Sequence, residues 1–330
     1  MAMASRVLIP VDNQECTSAA IKSVMLRTWP DDTQFLLLKV VEDFRGLLYA
    51  NEVQHSTALS AEQEEYTYEM RMWLNEQTDA FSKVFPNTES RLEIGRVSQR
   101  ICEVACEWLA DYIIIGSHDR QRSSRCALGS IASEVMSIAP CSVEAVRYKE
   151  LHHLLMQDGK ITEEDIEEIV SPPSKIMVAV DLTKESEVIT DWVGSIGWPK
   201  DAEIRLVTVE QSFHREEISL WHRGIGTLYT REGQHQKVVE SNLHTLVEKL
   251  AEVCSNKIDS QVIRHEVPSA GILEAANEWE AGYLVLGASG QKAGYEMKSS
   301  STPLSVIAGL HCSIAIVLTN GERLPTFKWK

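Results

Sequence analysis

An internal repeat that spans most of the chain is the feature that most constrains its fold. The segment RVLIPVD, which ends at Asp12, returns as KIMVAVD, which ends at Asp181. Trp29 and Trp198, each followed by proline, show the same offset of 169 residues. Farther along, ICEVACEWLADYIIIG returns as ILEAANEWEAGYLVLG at an offset of 171. Such a near-constant offset predicts two copies of one domain.

The repeat also sets the expected domain boundaries. A length of 330 residues agrees with two domains, since a domain of roughly 150 residues is common. We place the first domain at residues 1–148 and the second at residues 175–320. Residues 149–174 match neither copy, are acidic near their end and contain Pro172-Pro173, so we interpret them as a linker.

Within each copy, β-branched strand patterns alternate with helical patterns. The strands at residues 6–11 and 175–180 are examples, and in the first copy Ser60 with Gln63 fits a helix-capping pair. Strands that alternate with helices imply a parallel sheet with helices on both faces. The sequence therefore predicts an α/β, doubly wound fold for each half.

Several small or acidic residues come where predicted strands end. In such sheets, ligands bind beyond the carboxyl ends of the strands. Three strand ends per copy should therefore converge on one crevice. The residues at these ends are Asp12, Val40 and Gly116 in the first copy, and Asp181, Val209 and Gly287 in the second.

Each copy then carries a glycine-containing loop that leads into a helix. In the first copy, GSHDRQRSSRCALGS runs from Gly116 to Gly129 and Ser130. Glycine lets a backbone approach a phosphate closely, and the N–H groups that open a helix favour an anion. These loops are therefore candidate phosphate sites. The corresponding residues of the second copy are Gly287, Gly290, Ser300 and Ser301.

These motifs resemble those of the universal stress protein family, whose pattern is Gly, two residues, Gly, nine residues, Gly, then Ser or Thr. The resemblance covers both halves. It implies two tandem open five-stranded parallel sheets, of the type found in adenine-nucleotide hydrolases, which pair through their last strands. It also implies that Asp12 and Val40, or Asp181 and Val209, contact adenine and ribose. The loop glycines and serines named above would contact the phosphates.

The two motifs depart from the family pattern at different places. Asp119 takes the second glycine position of the first copy, where a carboxylate repels phosphate. Ser300 takes the third glycine position of the second copy, which is a milder change because serine keeps its N–H and adds a hydroxyl. We therefore expect one site per chain, in the second half, for ATP, ADP or AMP with or without Mg²⁺.

Other interpretations of the same residues stay open. Asp12 and Asp181 also fit helix N-caps, and Gly116 and Gly287 fit turn glycines. A scaffold of this fold that binds a small molecule or a protein is therefore the alternative to a nucleotide-binding stress sensor or regulator. The Ser-Gly-Gly-x-Asp-Ser loop of ATP pyrophosphatases is missing after both first strands. We assign no catalytic and no metal-binding residues, and expect at most weak ATP hydrolysis.

The composition of the chain indicates which classes of binding partner to expect and in which cell compartment the protein works. The net charge of -16 disfavours nucleic acid and anionic membranes. No apolar run approaches the roughly 18 residues of a membrane helix, and no secretory signal is evident. An odd number of cysteines without a C-x-x-C pair suits a reducing compartment. We expect a cytoplasmic protein whose two halves pair within the chain and which acts on a regulatory protein partner; a monomer and a homodimer of such chains are both compatible with the sequence.

Overall fold

The strands of both halves join into one sheet. The computed structural model describes most of the chain, although the side chains of residues 15–18, 56–60 and 225–235 lie outside the description. The described ranges are residues 5–12, 15–43, 56–117, 128–147, 170–211, 225–288, 302–319 and 324–330.

The first half contains six strands and four helices within these ranges. β1 illustrates why they form, because its alternating side chains are buried on both sides: Val7 and Ile9 pack into one core and Leu8 into the other. In chain order, the elements are β1 (Arg6–Val11), α1 (Glu15–Met25), β2 (Arg27–Thr28), β3 (Gln34–Val41), α2 (Ser56–Ser82), β4 (Thr88–Ile94), α3 (Val97–Glu107), β5 (Tyr112–Ser117), α4 (Ser130–Ile138) and β6 (Ser142–Arg147).

The second half repeats the order of the five long strands and four helices, as its sequence pattern predicts. The two short strands differ, because within the described ranges β2 has no counterpart in the second half and β12 none in the first. The elements are β7 (Lys175–Ala179), α5 (Lys184–Ser195), β8 (Glu203–Glu210), α6 (Ile225–Val253), β9 (Lys257–Arg264), α7 (Pro268–Glu278), β10 (Tyr283–Ala288), α8 (Thr302–Gly309), β11 (Ser313–Leu318) and β12 (Lys328–Trp329).

Ten of these strands form one continuous sheet, in the order β4-β3-β1-β5-β6-β11-β10-β7-β8-β9. Five come from each half and are parallel within it. The halves meet where β6 pairs with β11 in antiparallel register. We call this pairing the seam. The strands on the two sides of the seam run in opposite directions. The carboxyl ends of the first half's strands and those of the second half's strands therefore point in opposite directions along the strand axis.

A separate two-stranded sheet connects the chain's last residues to the first half. β12 pairs antiparallel with β2, so that Lys328 lies opposite Thr28 and Trp329 opposite Arg27. We call residues 324–330 the tail. Phe327 and Trp329 are buried in the core that both halves share.

The start of α2 differs from the sequence prediction, and the helices can be compared with what a membrane span requires. The helix predicted to be capped at Ser60 begins at Ser56, so Ser60 lies inside α2 and the capping prediction is wrong. Among the helices of the described ranges, none combines the length and apolar character needed to cross a membrane.

Candidate functional site

In the second half, three strand ends surround one cavity of about 590 Å³. Asp181 follows β7, Val209 lies near the end of β8 and Gly287 near the end of β10. The structure therefore brings these three predicted residues together. Most other lining side chains are apolar or carry hydroxyl groups. They include Val180, Thr183, Ile189, Thr208, Pro268, Ile272, Thr302 and Thr319.

Asp181 holds the start of α5 by hydrogen bonds. Its Oδ1 accepts one from the backbone N–H of Thr183 at 3.1 Å, one from the Thr183 hydroxyl at 2.6 Å and one from the Ser186 hydroxyl at 2.8 Å. None of these three bonds uses Oδ2. Partial burial by itself would raise the pKa of this carboxyl, but the hydrogen bonds outweigh it and lower the pKa. The N-cap of α5 is Thr183, so Asp181 is not the N-cap that the sequence left open; it braces the turn two residues ahead of it.

Gly287 has a packing reason to be glycine. A Cβ at this position would collide with Cδ1 of Ile189, which projects from α5 against the strand. Any larger residue would have to displace a side chain that is only 3% exposed. This contact accounts for the glycine without a ligand, so the glycine alone does not identify a phosphate site.

In the first half, the predicted residues lie at the corresponding places. Asp12 follows β1, Val40 is in β3 and Gly116 is in β5. Gly129 is the N-cap of α4, and Ser130 is its first residue.

The backbone N–H of Gly129, one of the predicted phosphate donors, has a partner within the protein. It donates to the Ser117 hydroxyl at 3.2 Å. Ser117 is 1% exposed, and the equivalent residue of the second half is Ala288. Sequence reasoning missed this serine, although it directly follows Gly116.

A buried lysine also distinguishes the first half. Lys39, on β3, is 4% exposed, and its Nζ lies 5.7 Å from the ring centroid of Trp73 on α2. Burial lowers the pKa of Lys39, and the charge of Asp12 opposes that shift. The equivalent residue of the second half is Thr208, which lines the cavity. The single lysine within FLLLKVV is a sequence signal that could have identified it.

Three predicted residues of the second loop, Gly290, Ser300 and Ser301, lie outside the described residues, and so does Asp119. Their roles stay predictions. Within the part of the chain that the structure describes, no group of three or more His, Cys, Asp or Glu residues could hold a metal ion.

Comparison with known proteins gives a consistent result for both halves. The model of the universal stress protein family matches residues 3–147 and again residues 173–317. A comparison with curated protein sequences finds no match.

Two solved structures align over almost the whole chain. A universal stress protein from Archaeoglobus fulgidus DSM 4304 has 14% identity and a TM-score of 0.59, covering 96% of this chain and 98% of its own. A protein of unknown function from Pseudomonas aeruginosa PAO1 has 12% identity and a TM-score of 0.52, covering 97% and 94%. At these identities, the likeness concerns the fold.

Proposed function

Because the chain belongs to the universal stress protein family, we propose that it binds an adenine nucleotide in the cavity of its second half. We further propose that the protein acts as a stress-response sensor or regulator through its nucleotide-bound state. The observation that carries the proposal is the convergence of Asp181, Val209 and Gly287 on one cavity.

The size and chemistry of the cavity suit such a ligand. Its volume of about 590 Å³ falls within the roughly 300–1,000 Å³ of small-molecule sites. Val209, Pro268 and Ile272 give it apolar walls, against which a base can pack. The Asp181 carboxylate accepts hydrogen bonds, as a ribose hydroxyl or the adenine amino group requires. Gly290, Ser300 and Ser301 would add the phosphate contacts, with Mg²⁺ as a possible companion.

Two contacts support a single site per chain. Lys39 carries a buried ammonium group where the cavity of the second half has the Thr208 hydroxyl. The Gly129 N–H, meanwhile, already donates to Ser117. A nucleotide in the first crevice would have to displace both arrangements, and Asp119 would oppose its phosphates.

The packing of Gly287 against Ile189 favours a second candidate function. It removes the need for a phosphate to explain that glycine. In this candidate function, the cavity takes a small apolar molecule or part of a partner protein.

Calorimetric titration of the full chain with ATP and Mg²⁺ tests the proposed function. Exchange of equivalent residues between the halves gives a matched pair of variants. Thr208→Lys should abolish the binding heat, because it places an ammonium group beside Asp181 within the cavity. Lys39→Thr should leave the heat unchanged. Absence of heat in the wild type at millimolar ATP would refute nucleotide binding, and titration with a hydrophobic dye would then examine the second candidate.

We also propose that the protein works in the cytoplasm, and that the first domain ends near residue 148 and the second begins near residue 175.

Native mass spectrometry of freshly purified protein examines both the oligomeric state and the bound ligand. A co-purified adenine nucleotide of one per chain would support the proposal, and the same spectrum reports any homodimer or bound regulatory partner.

A further inference from the structure

The seam brings two equivalent positions of the repeat face to face. Ala315 of β11 pairs in register with Glu144 of β6, and these residues are separated by the repeat offset of 171. An approximate two-fold axis between the halves therefore passes beside this pair. If two first halves paired in the same way, Glu144 would lie opposite a second Glu144.

Glu144 is held by a buried polar cluster that belongs to the first half. It is 1% exposed and forms a two-pronged ion pair with Arg27, which is 0% exposed. Nη1 of Arg27 lies 2.7 Å from Oε2, and Nη2 contacts Oε1. The Tyr112 hydroxyl donates to Oε2 at 3.0 Å. The Ser23 hydroxyl accepts a hydrogen bond from Nη2 of Arg27 at 2.8 Å.

At the positions equivalent to three of these four polar residues the second half has apolar ones, whereas Tyr112 is matched by Tyr283. Trp192 takes the place of Ser23, Ile196 that of Arg27 and Ala315 that of Glu144. Trp192 reaches the cluster, since its ring centroid lies 6.3 Å from that of Tyr112. The two charged residues of this cluster therefore both come from the first half.

The tail completes the asymmetry. Phe327 and Trp329 lie over the Arg27 guanidinium, with each ring centroid 4.3 Å from its central carbon. Trp192 fixes the tail, because its indole N–H donates to the carbonyl of Pro325 at 3.0 Å. Trp29 of the first half also faces this guanidinium, but its ring centroid is 5.9 Å away, so the two nearer rings are those of the tail.

We infer that the Arg27–Glu144 pair, covered by the tail, makes the β6 edge specific for the second half of the chain and unsuited to another first half. Pairing of two first halves would put the Cβ atoms of two Glu144 residues about 5 Å apart, with both carboxylates buried beside the same pairing. It would also bury two ion pairs and omit the rings that cover the guanidinium. Burying additional charge is costly, and such costs against a wrong partner create specificity.

Cleavage of the linker in the full-length protein tests this inference. A protease site inserted between Asp158 and Gly159 lets the folded protein be cut into its two halves, which then pass together through urea and back into buffer. Native mass spectrometry distinguishes the three possible pairs because the halves differ in mass. We expect mixed pairs to exceed pairs of two first halves by at least about tenfold.

The double variant Arg27→Ile, Glu144→Ala gives the first half the residues of the second. In that background, pairs of two first halves should appear. Arg205→Ile, Asp259→Ala removes a partly exposed ion pair away from the seam and should leave mixed pairs dominant.

Two results would overturn the inference. One is a statistical mixture of pairs from the cut wild-type protein, since the seam would then not discriminate between partners. The other is failure of the cut wild-type halves to reassociate, since the linker would then be what brings them together.

Discussion

The hydroxyl of Ser186 lies 2.8 Å from Oδ1 of Asp181 and donates a hydrogen bond to it. This bond fastens the first turn of α5 to the end of β7, at the wall of the cavity. Because the same oxygen accepts two bonds from Thr183, the carboxylate is fixed before any ligand arrives. The side chain predicted to recognise a ligand therefore also shapes the site.

Asp181→Asn should reveal the contribution of the charge through its pH dependence. The pKa of the folded carboxyl is lowered, so the ionised form stabilises the fold above the unfolded pKa of about 3.9. Because Asp181 is exposed and water screens its charge, we expect the free energy of unfolding of the wild type to exceed that of the variant by no more than about 0.3–1 kcal/mol at neutral pH. Urea denaturation should show this difference constant down to about pH 4 and lost at lower pH. Ser186→Ala removes one of the three hydrogen bonds and should make the stability difference caused by Asp181→Asn smaller. A stability difference that grows on acidification would contradict the role given to the ionised carboxylate.

Lys39→Met should stabilise the protein at neutral pH. Burial lowers the pKa of Lys39, which means that keeping the ammonium charged costs free energy in the folded state. That cost is present at neutral pH and disappears as pH rises through the folded pKa toward about 10.4. We expect a gain in the free energy of unfolding of about 1 kcal/mol, shrinking as pH approaches 10 in denaturant titrations. A loss of stability at pH 7 would instead show that Asp12 and Trp73 outweigh the desolvation of the ammonium.

Arg27→Met should destabilise the protein severely, because it leaves the Glu144 carboxylate buried without its cation. Breaking a buried pair in this way costs about 3–5 kcal/mol. The double variant Arg27→Met, Glu144→Leu removes both charges and should recover most of that loss. Equilibrium unfolding of the two single variants and the double variant gives the coupling energy, and additive effects would argue against a coupled pair.

Phe327→Ala should show how strongly the tail is held. Phe327 is 2% exposed and lies 4.9 Å from Trp29, between ring centroids. Truncating a buried phenylalanine costs about 3–5 kcal/mol. Thr326→Ala, at the exposed neighbouring position, serves as the control and should stay within about 0.5 kcal/mol of wild type. Equal midpoints in urea for the two variants would mean that the tail contributes little.

Much of the fold could be predicted from the repeat. The strand patterns ending at Asp12 and Asp181 correspond to β1 and β7, because buried parallel strands carry a local apolar signal. Their equivalence also places Asp12, Val40 and Gly116 at strand positions that correspond to those of Asp181, Val209 and Gly287. Asp181, Val209 and Gly287 share a cavity for the same reason, since the carboxyl ends of neighbouring parallel strands meet at one edge.

The tail and its contacts were not predictable in this way. The sequence placed the end of the second domain at residue 320, and a strand as short as β12 has no periodicity to detect. Arg27, which the tail covers, lies in the first half of the chain. A signal did exist in Glu144 and Lys39, which are charged residues within apolar strands, since a buried charge requires a partner. The sequence alone does not say which partner.

The seam joins β6 and β11 of one polypeptide. A pair of separate chains dissociates when its concentration falls below the dissociation constant. A partner carried on the same polypeptide is present at a local concentration that dilution does not change. The ten-stranded sheet should therefore stay assembled whether a cell holds many copies of this protein or few, which leaves abundance free to vary with conditions.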